Sequence, residues 1–266
     1  MFLHRRRNIK NFSDEELDSR LKNGLILHMC KGHMGKTLID SSGNNLHATF
    51  NVSTASPVAS NGFKNTRSAI KFEGVVENAA YINPNSRFDF GTGNFSFSFW
   101  LYNNKSGAPA GAEGIIGTVT QFGQGGYTIS QFSGQDNLRI YLNGNDTSRA
   151  TTTLPFKDWS HWTIIRDGGS IYWYMNGNLD ATTTGHGATS FNSGGVGFAF
   201  GLWYADYLVG YAPNVILDDF RMYNRALSSA EAKLLADPNL NIAQKSKLGT
   251  LGESIIVPDA FFNFFH

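Results

Sequence analysis

The chain has 266 residues, 41% of them hydrophobic and only 16% charged, with a formal net charge of +1. So small a charge gives no broad field for nucleic acid or an anionic membrane, and the one basic cluster is Arg5, Arg6 and Arg7. Abundant Gly (29) and Phe (21) suit many short, aromatic-rich strands joined by tight turns, so the fold class read is all-β, and one large sandwich accounts for the length. Cys30 is the single cysteine, which rules out an internal disulfide and suggests folding in a reducing compartment. The basic start lacks the apolar run of a signal peptide, and no stretch reaches the ~18 apolar residues of a membrane span.

Residues 1–23 are polar and include Ser-Asp-Glu-Glu, in which Ser13 caps a helix and Glu16 returns the bond, so a short N-terminal helical arm is expected. From Leu25 onward short apolar or alternating runs follow one another, separated by Gly, Asn or Asp. His28, Cys30 and His33 sit in the first of these runs; without a fourth ligand at zinc-site spacing they read as an edge strand and loop. In NFSFSFW, alternation places Phe95, Phe97 and Phe99 on one face, the core, and Ser96, Ser98 and Trp100 on the other. Asp167-Gly168-Gly169 and Asn176-Gly177 are hairpin signals that make residues 161–184 a three-strand meander. Ser228 and Glu231 form a second capping box, with Pro238 closing that helix, and residues 239–266 read as a C-terminal tail.

Four motifs in order carry a resemblance: GLILHM with IDSSGNNLHAT, AIKFEG with AAYI, WTIIRDGGSIYWYMNGNLDAT, and LDDFRMYNRALSSAEAKLL. Residues 24–238 resemble the laminin-G-like, concanavalin A-like jelly-roll domains, with the arm 1–23 and the tail 239–266 outside. The resemblance implies two antiparallel sheets packed face to face, with first and last strands close together.

Some relatives with this fold hydrolyse β-glucans through paired acids that flank the glycosidic bond from one strand. Here Asp218 and Asp219 are adjacent, so regular alternation points them to opposite faces, and neither a G-x-S-x-G nor an H-E-x-x-H motif occurs. The expectation is therefore no enzyme. Many relatives bind calcium, and the resemblance makes Asp218, expected on the face of Phe220 and Met222, the candidate ligand of a structural calcium, with Glu73 or the Gly74 backbone as its partner. The alternative is that Asp218 simply bonds loop amides. For saccharides, Trp203, Tyr204, Tyr207 and Tyr211 could stack on sugar faces.

These parts together suggest a non-enzymatic structural or binding protein, a virion surface component made in the host cytoplasm. Its arm and tail would anchor it to other virion proteins or to copies of itself, with Phe261, Phe262, Phe264 and Phe265 as the apolar anchor. The alternative is a glycan-binding adhesin that meets a cell-surface glycan outside the cell.

Overall fold

A computed structural model describes residues 19–50, 58–60, 63, 69–74, 79–109, 111–118, 126–132, 134–143, 145–202 and 212–238. The arm's capping box at Ser13 and the whole tail lie outside these residues. In chain order the strands are β1 (Leu25–Met34), β2 (Thr37–Asp40), β3 (Ala48–Phe50), β4 (Val58–Ser60), β5 (Ala69–Glu73), β6 (Ala80–Ile82), β7 (Phe95–Asn103) and β8 (Glu113–Thr118). They continue with β9 (Tyr127–Phe132), β10 (Gln135–Leu142), β11 (Asn145–Thr153), β12 (Trp159–Asp167), β13 (Ser170–Met175), β14 (Asn178–Thr183), β15 (Phe198–Phe200) and β16 (Asn214–Tyr223). Among the described residues one helix, α1 (Ser229–Leu235), follows β16.

The fold is an all-β jelly-roll sandwich. Its hydrogen-bonded order is β11-β10-β9-β8-β15-β6-β3-β2-β1-β16-β7-β12-β13-β14, with β4 and β5 added beside β16. The β1–β2 hairpin, bulged between Met29 and His33, carries the path from one layer to the other. At the far side the layers meet again through side chains: Trp173 Nε1 donates to Ser148 Oγ at 2.8 Å, and Thr151 N donates to Asp180 at 2.7 Å. The sandwich is thus nearly a barrel, which leaves little unpaired edge.

The interior follows the alternation. Phe95, Phe97 and Phe99 are 0%, 1% and 0% exposed and belong with Phe220, Trp162 and Phe198 to one continuous apolar cluster. The two hairpin signals form the predicted turns, Gly168 at φ +56° between β12 and β13, and Asn176 and Gly177 at +49° and +76° between β13 and β14. A Cβ on Gly177 would also meet the Lys233 backbone at 2.9 Å, so glycine lets this turn press against α1. Ser228 caps α1 as expected: its side chain accepts from Glu231 N, and the Glu231 carboxylate accepts from Ser228 N.

Two features depart from the regular pattern. β1 is paired on both sides, with β2 and with β16, so His28 and Cys30 do not lie on an edge strand. The outer face of the central sheet, moreover, is buried. Ser96, Ser98, His161, Thr163, Arg221 and His28 are all at most 1% exposed, although each points away from the apolar interior. Leu21, Leu227 and Leu235 cover one end of that face, packing with Ile165 and Tyr223, while Phe63 stacks flat on Trp100 at 3.6 Å.

Candidate functional site

The adjacent acids of β16 belong to this outer face. Val215 and Leu217 are core residues, and so are Phe220 and Met222, so the inward parity changes between 217 and 220. A bulge at this point causes the change: Asp218 pairs with Trp100, Arg221 with Ser98, and Asp219 adopts φ +49°, a left-handed conformation that aspartate tolerates better than most residues. Asp218 therefore lies opposite to Phe220 and Met222, and both carboxylates lie on the outer side. This corrects the expectation from regular alternation.

The bulge sits where one edge of β16 changes partner, from β5 at Asn214–Leu217 to β1 at Phe220–Tyr223. Backbone groups at such a changeover lose their ladder, and Asp218 supplies acceptors in its place. Its Oδ2 accepts from Phe63 N at 3.0 Å and its Oδ1 from Asp219 N at 2.9 Å. Glu73 pairs with Asn214, four register steps from Asp218 or roughly 13 Å of strand, and forms an ion pair with Lys71 at 2.6 Å. The two do not meet, and among the described residues no group of three His, Cys, Asp or Glu side chains is placed to hold a metal ion. The Asp218 oxygens are already approached by these two N–H donors.

Asp219 is committed as well. Its Oδ1 lies 2.8 Å from His28 Nε2 and 3.1 Å from Arg221 Nη2. Burial disfavours the Arg221 cation, but the Asp219 carboxylate more than offsets this and keeps it charged.

The open site lies at the other end of β16. A cleft of about 380 Å³ is lined by Gly24, Leu25 and Ile26 of the β1 entrance, Asn44, the segment Ser86, Arg87, Asp89 and Phe90, then Gly93, Asn94 and Asn224. Each wall has a local cause. Asn85 caps the 3-10 turn Ser86–Phe88 by accepting from Arg87 N at 3.0 Å, which leaves the Arg87 side chain outside. Asp89 is held by Ser193, whose Oγ donates to it at 2.7 Å. Arg166, fully buried, reaches under the floor and donates to Gly91 O at 2.9 Å and Gly93 O at 3.2 Å while stacking over Phe191. Asn44 donates to Ile26 O at 2.8 Å, and Asn94 donates to Asp167 at 3.0 Å, so these two amides are spent on the frame.

Arg87 and Asn224 differ from these. Their side chains have no hydrogen-bonding partner among the described residues, although both line the cleft. The cleft thus presents a free guanidinium, a free amide, a carboxylate and Phe90 around a volume suited to a small polar ligand.

Of the residues singled out from sequence, Trp203, Tyr204, Tyr207 and Tyr211 lie outside the described residues, as do Phe261, Phe262, Phe264 and Phe265. Arg87, Asp89 and Asn224 carried no signal of their own. Two of them sit in the turn-rich run NPNSRFDFGTGN and one just after β16, and only the closing of β16 beside β1 makes them neighbours.

A laminin-G-like model, described as the concanavalin A-like lectin/glucanases superfamily, matches residues 76–233. The chain belongs to this superfamily. No curated protein sequence matches it. Among solved structures, this concanavalin A-like chain is similar to the binding domain of Paraclostridial Mosquitocidal Protein 1, at 18% identity and a TM-score of 0.64, covering 83% of this chain and 53% of that one. It is similar to the binding domain of botulinum neurotoxin DC in a complex with SialylT, at 19% identity and a TM-score of 0.60, over 82% of this chain and 52% of that one. A Trypanosoma rangeli sialidase shares 16% identity at a TM-score of 0.60, over 85% of this chain and 38% of the sialidase. The chain therefore spans about half or less of these structures, and at such identities the likeness is one of fold. No helix among the described residues is long and apolar enough to cross a membrane.

Proposed function

We propose that this superfamily member is a non-enzymatic, lectin-like binding module that takes a saccharide in the cleft between Arg87 and Asn224. The observation that carries the reading is the pair of polar side chains, Arg87 and Asn224, that line a framed, 380 Å³ cleft without a hydrogen-bonding partner among the described residues. Sugar hydroxyls need donors and acceptors that the protein has not already used, and here most neighbouring polar groups hold the frame while these two remain available. The superfamily's lectins and the binding domains of similar fold support it, including a botulinum neurotoxin type C structure described by its interaction with two ganglioside molecules. The carboxylates of β16 are engaged by Arg221, His28 and backbone amides, which supports binding rather than hydrolysis. Display on a virion rests on the ends 1–18 and 239–266, so the extracellular, glycan-binding alternative is the one that the described residues favour.

The test is a glycan array with the full chain, followed by titration of the best ligand against Arg87→Ala and Asn224→Ala. Each variant is expected to bind about ten-fold more weakly, equivalent to about 1.4 kcal/mol, with an unchanged melting temperature. Equal affinity in both variants would move the site elsewhere.

A further inference from the structure

The outer face of the sheet carries an arrangement that saccharide binding does not use. His28 and Cys30, two residues apart on β1, project to the same side, and Cys30 Sγ lies 3.8 Å from His28 Nδ1. The other ring nitrogen, Nε2, lies 2.8 Å from Asp219 Oδ1. A carboxylate only accepts, so Nε2 carries the hydrogen and Nδ1 is left with its lone pair toward the thiol. Asp219 is itself fixed by Arg221, whose Nε and Nη2 lie 3.2 and 3.1 Å from the same oxygen. The order is thiol, base, orienting carboxylate, anchoring cation, which is the order that activates a nucleophile.

A second observation points at the sulfur. Ser41 is 5% exposed, its Oγ has no hydrogen-bond partner among the described residues, and it is near enough to Cys30 to favour the thiolate. A hydroxyl so placed stabilises a thiolate. Burial pushes the Cys30 thiol up, but the His28 charge and its hydrogen bond outweigh this and bring it below the ordinary value. Burial and Arg221 both oppose a charged His28, yet Cys30 and Asp219 hold it above its ordinary value. Of the other groups facing the pair, Asp40 is spent on the amides of His28, Ser42 and Leu46, and Tyr223 stays neutral because burial raises its pKa.

We infer that Cys30, His28 and Asp219 form an oxidant-reactive thiol centre, a modification site for a small hydroperoxide. Cys30 is half-buried, so a small oxidant reaches it more readily than a bulky disulfide. The thiol proton moves to His28 Nδ1, and the thiolate attacks one peroxide oxygen. The S–O bond forms as the O–O bond breaks, and the departing hydroxide takes the proton from Nδ1 and leaves as water. Sulfur is oxidised by two electrons to the sulfenic acid, and the peroxide is reduced by the same two. Cys30 being the single cysteine, no internal thiol resolves the product, and the sulfenic acid persists until an external thiol meets it.

This centre is independent of the cleft, and its test needs no saccharide. The full chain at pH 6 is treated with hydrogen peroxide in the presence of dimedone, and the adduct on Cys30 is followed by mass spectrometry. Native Cys30 is expected to react at least about ten-fold faster than the same chain unfolded in guanidinium, because only the folded site supplies the base. His28→Gln and Asp219→Asn should bring the native rate down to the unfolded one. Should either variant fail to fold, the wild-type rate of iodoacetamide alkylation against pH decides. A profile that reaches its plateau at lower pH than that of the unfolded chain supports the centre, and one that coincides with the unfolded chain's overturns it. Native labelling no faster than unfolded labelling likewise leaves Cys30 a structural residue.

Discussion

The two faces of β16 solve the same problem, burial of a central strand, by opposite means. The inner face is held by rings: Phe220 packs against Phe97, Phe99, Phe198 and Phe200 at centroid distances of 5.2 to 6.3 Å. The outer face is held by charge and hydrogen bonds, with Asp218, Asp219 and Arg221 only 5%, 7% and 0% exposed. Apolar packing is non-directional and tolerates approximate fit, whereas a buried charge is stable only while each partner stays in place. The inner face accordingly sets how much stability the sandwich has, and the outer face sets which register β1, β5 and β16 adopt.

The largest effect should come from the ring face. Phe220→Ala is expected to cost about 3–5 kcal/mol in urea unfolding, since it empties the meeting point of four rings. Asp219→Ala should follow at about 3 kcal/mol, because it leaves the Arg221 cation buried without its carboxylate. The comparison sharpens in the double variant Asp219→Ala, Arg221→Met, which removes the orphaned charge and should recover most of that loss. A double variant no more stable than the single would show that the outer face contributes through packing, not charge.

A smaller effect is expected at the end of that face, where Glu231 joins the capping box to Arg225 at 2.6 Å. Burial raises the Glu231 carboxyl pKa, but the bonds from Arg225 and Ser228 outweigh it and set it below the ordinary value. The folded protein then binds this proton less tightly than the unfolded chain, so the stabilisation is complete at neutral pH and is lost as pH falls through the folded value. Glu231→Gln should cost about 1 kcal/mol at pH 7, and the gap to wild type should close as pH falls below the folded value. Smallest of all, a chelator should leave the melting temperature unchanged, since the Asp218 oxygens face amides. A drop that Asp218→Asn abolishes would instead reveal a bound calcium.

The inner face was legible in the sequence because alternation is a local rule. Phe95, Phe97 and Phe99 stand where period-two counting puts them, and the Gly168, Gly177 and Ser228 signals each act within a few residues. The outer face was not legible, for two physical reasons. Parity counting assumes an unbroken pleat, and the left-handed Asp219 breaks it with no marker such as glycine. The partners of that face are also distant in sequence: His28 and Asp219 are separated by 191 residues, so His28 and Cys30 could be read only as members of a short strand. The cleft shared this obstacle. Its frame of Asn, Gly and Asp looks like ordinary turn composition until Asn224 is brought beside Gly24, where its backbone N–H bonds the Gly24 carbonyl at 2.9 Å.

The seating of β1 against β16 also sets the order of events during synthesis. Leu25 pairs with Tyr223, and β16 is the strand that joins β1 and β5 to β7. A nascent chain therefore carries β1 and β5 with a vacant edge until β16 leaves the ribosome. Closure by so distant a pairing is slow, and the waiting edges are the surface on which a chaperone or a misplaced strand would compete. Assembly of this sandwich is thus gated by β16, and the Asp218–Asp219 bulge, where that strand changes partner, is the point at which the gate closes.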